Sequence, residues 1–230
     1  VLSLNGDLAL EVTGNDFNKI VGYDFAALHI FDYNGASELT MADNTFERIW
    51  GLAVYLELIS NEGGDKVIDV SDSVFNKVGY VFYSIIGVSD NTGRTGDDYL
   101  NVTVNFQNNV MTDAFGMVCW IDMYLYDPVN WIVTVTQTMT DNVMVQENYM
   151  GSWPFMVDYP MSSALGSAVY IEQYYEDENS VTLDQTATVT GNYIECPGPF
   201  GIDVGNAIYN YYGDTTKNAV IDVTDNLLNI

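Results

Sequence analysis

The sequence predicts an all-β protein, a jelly-roll β-sandwich or barrel with extra strands. Three observations support this class. Apolar and polar residues alternate over many short segments, clusters of Gly, Asn, Asp and Ser separate the segments, and no helices alternate with them. The chain has 230 residues, of which 48% are hydrophobic and 13% aromatic, so it can bury a substantial core.

The segment WIVTVTQTMT, at 131–140, shows the alternation most clearly. Trp131, Val133 and Val135 point to one side of an extended strand, whereas Thr134 and Thr136 point to the other. The first side is therefore a core face. The second side is neutral, although the chain as a whole is strongly acidic.

The same alternation predicts the other elements in chain order. A short helix is predicted over 41–50, where Asp43 or Asn44 would cap it and Glu47 would lie in its first turn. No fixed-period repeat is apparent. The predicted strands are 7–13, 25–32, 50–59, 66–70, 78–88, 99–106, 117–125, 130–139, 142–147, 167–175, 181–190 and 218–224.

This number of strands exceeds the eight that a jelly roll needs. Residues 1–230 are therefore predicted to form a single β domain. The surplus strands would either extend its sheets or form a small inserted or appended β module, whose bounds the sequence does not define.

The charge balance is the most informative global property. Asp and Glu number 32 against six Lys and Arg, which gives a net charge of −26. Such charges repel one another at ordinary ionic strength and are screened in concentrated salt, so we expect adaptation to a high-salt environment. A calcium-loaded secreted domain and an acidic partner-binding surface are the alternatives. Nucleic acid is not an expected ligand, because phosphate contacts require Lys and Arg.

Neutral polar faces recur in three predicted strands, 99–106, 131–140 and 181–190. Threonine is a good strand former, so these faces could simply be solvated. The alternative is that they are kept free of acid because another sheet or subunit packs on them. The candidate interface residues are Thr134, Thr136, Thr138, Thr186 and Thr188.

No catalytic site is predicted. His29 is the sole histidine and has no local partner set, which removes most nucleophile–histidine sites and indicates a structural role. Glu172 and Glu176 would share a strand face, but Tyr174 lies where the laminarinase-type glycosidase pattern has an Asp. We therefore expect the protein not to be an enzyme.

No cofactor is expected besides the counterions of a salt-rich medium, although calcium is a candidate ligand. The loop 90–98 offers Asp90, Asp97 and Asp98 as weak candidate ligands, but Arg94 interrupts the EF-hand pattern. Cys119 and Cys196 are separated by 77 positions. Free buried thiols, an intrachain disulfide and an intersubunit disulfide are all compatible with this spacing.

Neither a membrane span nor a signal peptide is expected in this sequence. The longest apolar-rich run, at 80–88, is too short to cross a bilayer as a helix. The first residues, VLSLNGDLALEV, lack both a basic region and a long apolar region.

The acidic composition, the length and the threonine-faced segments WIVTVTQTMT and VTLDQTATVT together resemble a family of viral proteins. The family that the sequence resembles is the larger major capsid protein of halophilic archaeal viruses, which are tailless icosahedral particles with an internal membrane. The resemblance implies a vertical single jelly roll that self-assembles with a second, related capsid protein. It also implies location in the virion, close to the internal membrane, and a small projection that would account for the surplus strands.

A second function remains open, that of a secreted or cell-surface β-sandwich from a halophile that binds carbohydrate or calcium. Exposed aromatic side chains would then stack on sugar rings. The residues to consider are Trp50, Trp120, Trp131 and Trp153.

Overall fold

The computed structural model describes residues 2–5, 7–33, 37–60, 63–88, 96–114, 119–125, 129–146, 165–173, 179–195, 201–211 and 213–229. They form nineteen strands, all listed here: β1 Leu2–Asn5, β2 Leu8–Thr13, β3 Asp16–Asn18, β4 Val21–Tyr33, β5 Ser37–Ala42, β6 Thr45–Ser60, β7 Gly64–Ser71, β8 Val74–Val88, β9 Asp97–Gln107, β10 Val110–Thr112, β11 Cys119–Leu125, β12 Asn130–Thr140, β13 Val143–Val145, β14 Leu165–Gln173, β15 Val181–Thr190, β16 Tyr193–Glu195, β17 Ile202–Asn210, β18 Thr215–Thr224 and β19 Leu227–Asn229.

The strands stack as successive coils of a parallel β-solenoid. Every pairing between the described strands is parallel. The all-β prediction is therefore confirmed, but the jelly-roll topology is not, because a jelly roll is built from antiparallel Greek keys. Parallel strands leave no hairpins, so each strand pairs with the equivalent strand of the next coil.

Each complete coil contributes to two sheets. One strand lies in a seven-stranded sheet with the order β18-β15-β12-β9-β7-β5-β2. After a turn, the same coil adds a short segment and then a long segment to a twelve-stranded sheet. In β6 and β8 these two segments are continuous, and Arg48 and Lys77, with φ of 57° and 55°, mark the bend between them.

A ladder of asparagines occupies the turn after each strand of the seven-stranded sheet. Its rungs are Asn15, Asn44, Ser73, Asn109, Asn142, Asn192 and Asn226. The backbone N–H of each rung donates to the side-chain oxygen of the next rung, 2.9 to 3.1 Å away. These bonds satisfy backbone donors that are otherwise buried in a turn, and they hold neighbouring coils in register.

The residue before every rung has a positive φ, between 50° and 70°. These residues are Gly14, Asp43, Asp72, Asn108, Asp141, Gly191 and Asp225. Gly, Asn and Asp are the residues that adopt this left-handed conformation most readily. The dipeptide formed by one of them and a following Asn or Ser is therefore the local signal of each turn.

The core lies between the two sheets. Two residues after the first three rungs, Phe17, Phe46 and Phe75 stack with ring centroids 4.7 and 5.0 Å apart. Phe82 of β8 meets Phe106 of β9 edge-on at 5.5 Å, which joins the two sheets through one core. Inner strands such as β9 and β12 therefore bury one side of their alternating pattern against the opposite sheet, whereas β18 and β19 are exposed on both sides.

The predicted helix over 41–50 is wrong. β5 ends at Ala42, Asp43 and Asn44 form the ladder turn, and β6 begins at Thr45. Asn44 does not cap a helix, because its amide donates to the carbonyl of Val12 and its oxygen accepts from the N–H of Asn15. The side-chain amide of Asn, which can cap a helix through hydrogen bonds to the backbone, here bonds to backbone groups of the neighbouring coil.

A buried lysine lies inside the first coils. Lys66 is 1% exposed and its Nζ donates to Ser37 Oγ at 3.2 Å, while Ser37 Oγ donates to the carboxylate of Asp32 at 2.7 Å. Burial lowers the pKa of Lys66, and the charges of Asp32 and Asp7 oppose this effect. Among the residues described, no helix has the length and apolarity needed to cross a bilayer.

Candidate functional site

The outer face of the long strands carries a group of tyrosines and carboxylates. On β6, β8, β11 and β14 the inward residues are buried core, such as Leu56, Ile121 and Ile171. The alternate positions therefore point outward. We call the following outward residues the acidic–tyrosine face: His29, Tyr55, Glu57, Tyr83, Asp122, Tyr124, Tyr170, Glu172 and Tyr209.

An aromatic row begins this face. His29, Tyr55 and Tyr83 occupy paired positions on β4, β6 and β8. The rings of His29 and Tyr55 stack with centroids 4.6 Å apart, and those of Tyr55 and Tyr83 lie 5.6 Å apart. The three rings therefore form one stacked row along the solenoid axis.

Two carboxylates lie directly beside the aromatic row. Glu57 Oε2 is 3.5 Å from His29 Nε2, and the Tyr83 hydroxyl donates to Asp122 Oδ2 at 2.7 Å. Burial, then the hydrogen bond and charge of Asp122, raise the pKa of Tyr83. Burial, then the charges of Glu57 and Asp122, raise the pKa of Tyr55. Both phenols therefore stay protonated at neutral pH, and Tyr83 anchors the carboxylate of Asp122.

The face continues towards the C-terminal coils. Asp122 pairs with Tyr170, Tyr124 pairs with Glu172, and Glu172 pairs with Tyr209. Tyr209 is 47% exposed, so its ring is accessible to a ligand. Asp122 and Glu172 are diagonal neighbours, one strand over and two residues along, which places their Cα atoms about 8 Å apart.

The threonines predicted as an interface lie on the other sheet. Thr136 pairs with Thr103 and Thr186, and Thr138 pairs with Thr188. These side chains and Thr134 point away from the core, as expected, and are half-buried or exposed. The core positions Trp131, Val133 and Val135 are fully buried. The face assignment is thus confirmed, while a subunit contact there stays a prediction.

The predicted calcium loop lies partly outside the described residues, since Asp90 is not among them. Asp98 accepts hydrogen bonds from the backbone N–H groups of Gly63 and Tyr99, and Asp97 accepts from Asn130 Nδ2. These two carboxylates therefore connect neighbouring coils. Within the described ranges no group of three or more His, Cys, Asp or Glu could hold a metal ion.

The cysteine prediction is not resolved by the fold. Cys119 begins β11, where its backbone pairs with Ser167, whereas Cys196 lies outside the described residues. The three alternatives for these thiols stay predictions.

The predicted aromatic and carboxylate candidates separate into different environments. Trp131 is 0% exposed and cannot stack on a ligand. Trp153 and Glu176 lie outside the described residues, so the proposed Glu172–Glu176 pair stays a prediction. Of the face, sequence reasoning considered His29 and Glu172 but did not place Glu172 beside Asp122. The missing signal was the ladder dipeptide, which sets the register between coils.

The chain was compared with protein-family models, with curated proteins and with solved structures, and none of the three comparisons gave a match.

Proposed function

We propose that this protein binds a neutral, extended glycan along the acidic–tyrosine face. The observation that carries the proposal is the recurrence of outward carboxylates and tyrosines on successive coils, with Asp122, Glu172 and Tyr209 on three neighbouring strands. Carboxylates accept hydrogen bonds from sugar hydroxyls, and an exposed tyrosine ring covers an apolar sugar face.

The geometry also suits a polymer with a short repeat. Adjacent strands lie about 4.8 Å apart, so Tyr124, Glu172 and Tyr209, which occupy one paired row, follow one another at about that interval along the solenoid axis. Solenoids offer extended surfaces of this kind. A net charge of −26 repels anionic polysaccharides, which favours a neutral ligand.

The capsid function expected from the sequence stays a prediction. It was tied to a jelly roll, and the parallel coils do not provide that topology. The carbohydrate-binding alternative fits the solenoid better, because it requires only an exposed face and no particular shell geometry.

The test is affinity gel electrophoresis with soluble cellulose oligomers, mannan and xylan as neutral probes, and polygalacturonate as the anionic comparison. We expect retardation by at least one neutral probe and none by polygalacturonate. Glu172→Gln should weaken binding by roughly tenfold, since one charge-assisted hydrogen bond contributes about 1.5 kcal/mol or more. Tyr209→Ala should also weaken binding, because it removes the ring that covers the sugar face.

Asp184→Asn is the matched control. Asp184 is also an exposed, outward carboxylate, but it lies on β15 in the other sheet. Binding equal to that of the wild-type chain is expected for this variant. Retardation by no neutral probe, or equal weakening by Asp184→Asn, would contradict the proposal.

Hydrolysis is a second candidate, favoured by the diagonal placement of Asp122 and Glu172. Inverting glycosidases hold two carboxyl groups about 6.5–9.5 Å apart. Measuring reducing ends released from the same neutral probes separates the two functions. Release that is lost in both Asp122→Asn and Glu172→Gln would establish hydrolysis, and binding without release would exclude it for these probes.

A further inference from the structure

The middle of the seven-stranded sheet presents an ordered array of uncharged polar side chains. Outward positions of β9, β12 and β15 lie there in three paired rows of three. Seven of the nine side chains are threonines, and all nine are half-buried or exposed. We call them the threonine array, and its rows are Thr103, Thr136 and Thr186, then Asn105, Thr138 and Thr188, then Gln107, Thr140 and Thr190.

The array contains no carboxylate, although Asp and Glu number 32 in the chain. Carboxylates border it instead. Asp184 is the outward residue before Thr186 on β15, and Asp69 pairs with Asn105 from β7. The absence of charge from nine adjoining outward positions of so acidic a chain favours a ligand that is itself uncharged.

The array is regular in two directions. The strands pair here without a bulge, so the three residues of a row follow one another at the strand spacing of about 4.8 Å. Along one strand, successive outward residues are about 6.6 Å apart, which is twice the rise of a parallel strand. Rows of oxygen atoms on the surface of ice repeat at nearly the first distance and at slightly more than the second. The array can therefore set its hydroxyls against consecutive oxygen positions of an ice surface.

The threonine hydroxyls are available for such a contact. Thr190 Oγ1 accepts a hydrogen bond from Thr224 Oγ1 at 3.2 Å. In the described part of the chain, the hydroxyls of the other six threonines of the array have no hydrogen-bond partner. Each can donate one hydrogen bond to water and accept two. The methyl groups beside these hydroxyls lose contact with liquid water when the array adjoins a solid surface, which also favours contact.

A buried layer holds the array in place from behind. Gln137 lies between Thr136 and Thr138 on β12 but points inward, and it is 1% exposed. Its Oε1 accepts a hydrogen bond from Nε2 of the buried Gln185 at 2.9 Å, which joins β12 to β15 directly beneath the array. Because the strands are fixed in this way, the array loses little conformational entropy when it meets a surface.

We propose that the threonine array binds the surface of ice. The array lies on the sheet opposite the acidic–tyrosine face, so this activity is additional to glycan binding and does not depend on it. Bound chains make the ice front curve outward between them as it grows. This curvature lowers the temperature at which the crystal grows and leaves its melting temperature unchanged.

Nanolitre osmometry on single ice crystals tests the proposal, in buffer with about 1 M NaCl to screen the acidic chain. We expect faceted crystals and a gap between the melting and freezing temperatures. Thr138→Tyr should abolish the gap, because Thr138 is the centre of the array and the larger ring there holds the neighbouring hydroxyls away from the ice.

Thr40→Tyr is the matched control. Thr40 is an outward, half-buried threonine of the same sheet, but it lies on β5 between Glu11 and Asp69, outside the array. This variant should keep the full gap. The share of protein that enters slowly grown ice gives a second readout, which should be high for the wild-type chain and for Thr40→Tyr and low for Thr138→Tyr. Circular dichroism in the same buffer establishes that each variant is folded.

Three outcomes would overturn the proposal. They are freezing of a solution of folded wild-type chain at its melting temperature, a gap that survives Thr138→Tyr, and equal loss of the gap in Thr40→Tyr. Light scattering on a sizing column adds a fourth. A mass that grows with protein concentration in the wild-type chain but not in Thr138→Tyr would show that a second copy, rather than ice, covers the array.

Discussion

At the scale of single residues, the asparagine ladder satisfies buried backbone groups of neighbouring coils. Asn142 is 1% exposed, and its Oδ1 accepts from the backbone N–H of Asn109 while its Nδ2 donates to the carbonyl of Phe106. Asn142→Ala removes the acceptor and leaves that buried N–H unsatisfied. We expect the free energy of unfolding to fall by about 2–3 kcal/mol, measured by urea denaturation.

Asn218→Ala is the control for this prediction. Asn218 also joins neighbouring coils, through a 2.8 Å hydrogen bond to Asp184, but this bond is exposed to solvent. Its loss should change the free energy of unfolding by less than about 0.5 kcal/mol. Equal effects for the two substitutions would show that the ladder has no special role in stability.

At the scale of elements, the strands were predictable because their signal is local. All twelve predicted segments overlap observed strands, and β12 shows the predicted alternation of buried and half-buried residues along its length. The way they stack was not predictable from local pattern. Successive rungs are separated by 29 to 50 residues, because the connections between strands differ in length. A fixed-period search therefore misses the repeat.

The candidate site was unpredictable for the same reason. Asp122 and Glu172 lie far apart in sequence and become neighbours only because β11 pairs with β14 in one particular register. Without the coil register, the sequence offers only coincidental pairs within one segment, such as Glu172 and Glu176. The short strands β3, β10, β13, β16 and β19 have three residues each, and all but β13 went unpredicted because they are too short to establish a period.

The threonine face of the seven-stranded sheet gives a prediction at this scale. Thr134 is flanked by Asp184 and Asn101, whereas Thr136 is flanked by Thr186 and Thr103. Thr134→Asp therefore sets two carboxylates directly opposite each other, and Thr136→Asp does not. In dilute buffer we expect Thr134→Asp to lower the free energy of unfolding by about 0.5–1 kcal/mol more than Thr136→Asp.

Salt dependence identifies the cause of that difference. The two variants should become equally stable above about 1 M NaCl, where the screening length is about 3 Å. A difference that persists in concentrated salt would mean that packing or hydrogen bonding at Thr134, rather than charge repulsion, sets the cost.

At the scale of the whole molecule, the solenoid must tolerate a net charge of −26. Its coils bring equivalent positions about 4.8 Å apart, so two acids at paired positions would repel one another strongly. Asp65, Asp69 and Asp184 each accept a hydrogen bond from an Asn amide of the neighbouring coil, which offsets part of this repulsion without adding positive charge. The remaining repulsion must be screened by solvent ions.

Stability should therefore rise with salt in a characteristic shape. We expect the urea midpoint of unfolding to increase steeply as NaCl rises from dilute buffer and to level off near about 1 M, because the screening length changes little beyond that concentration. Potassium chloride should act equally, since screening depends on charge and not on the ion's identity. Sodium sulfate should continue to stabilise at higher concentration, because it is excluded from the protein surface. A midpoint that stays constant in dilute NaCl, or one that saturates with millimolar calcium alone, would show that specific ion sites rather than screening balance the charge.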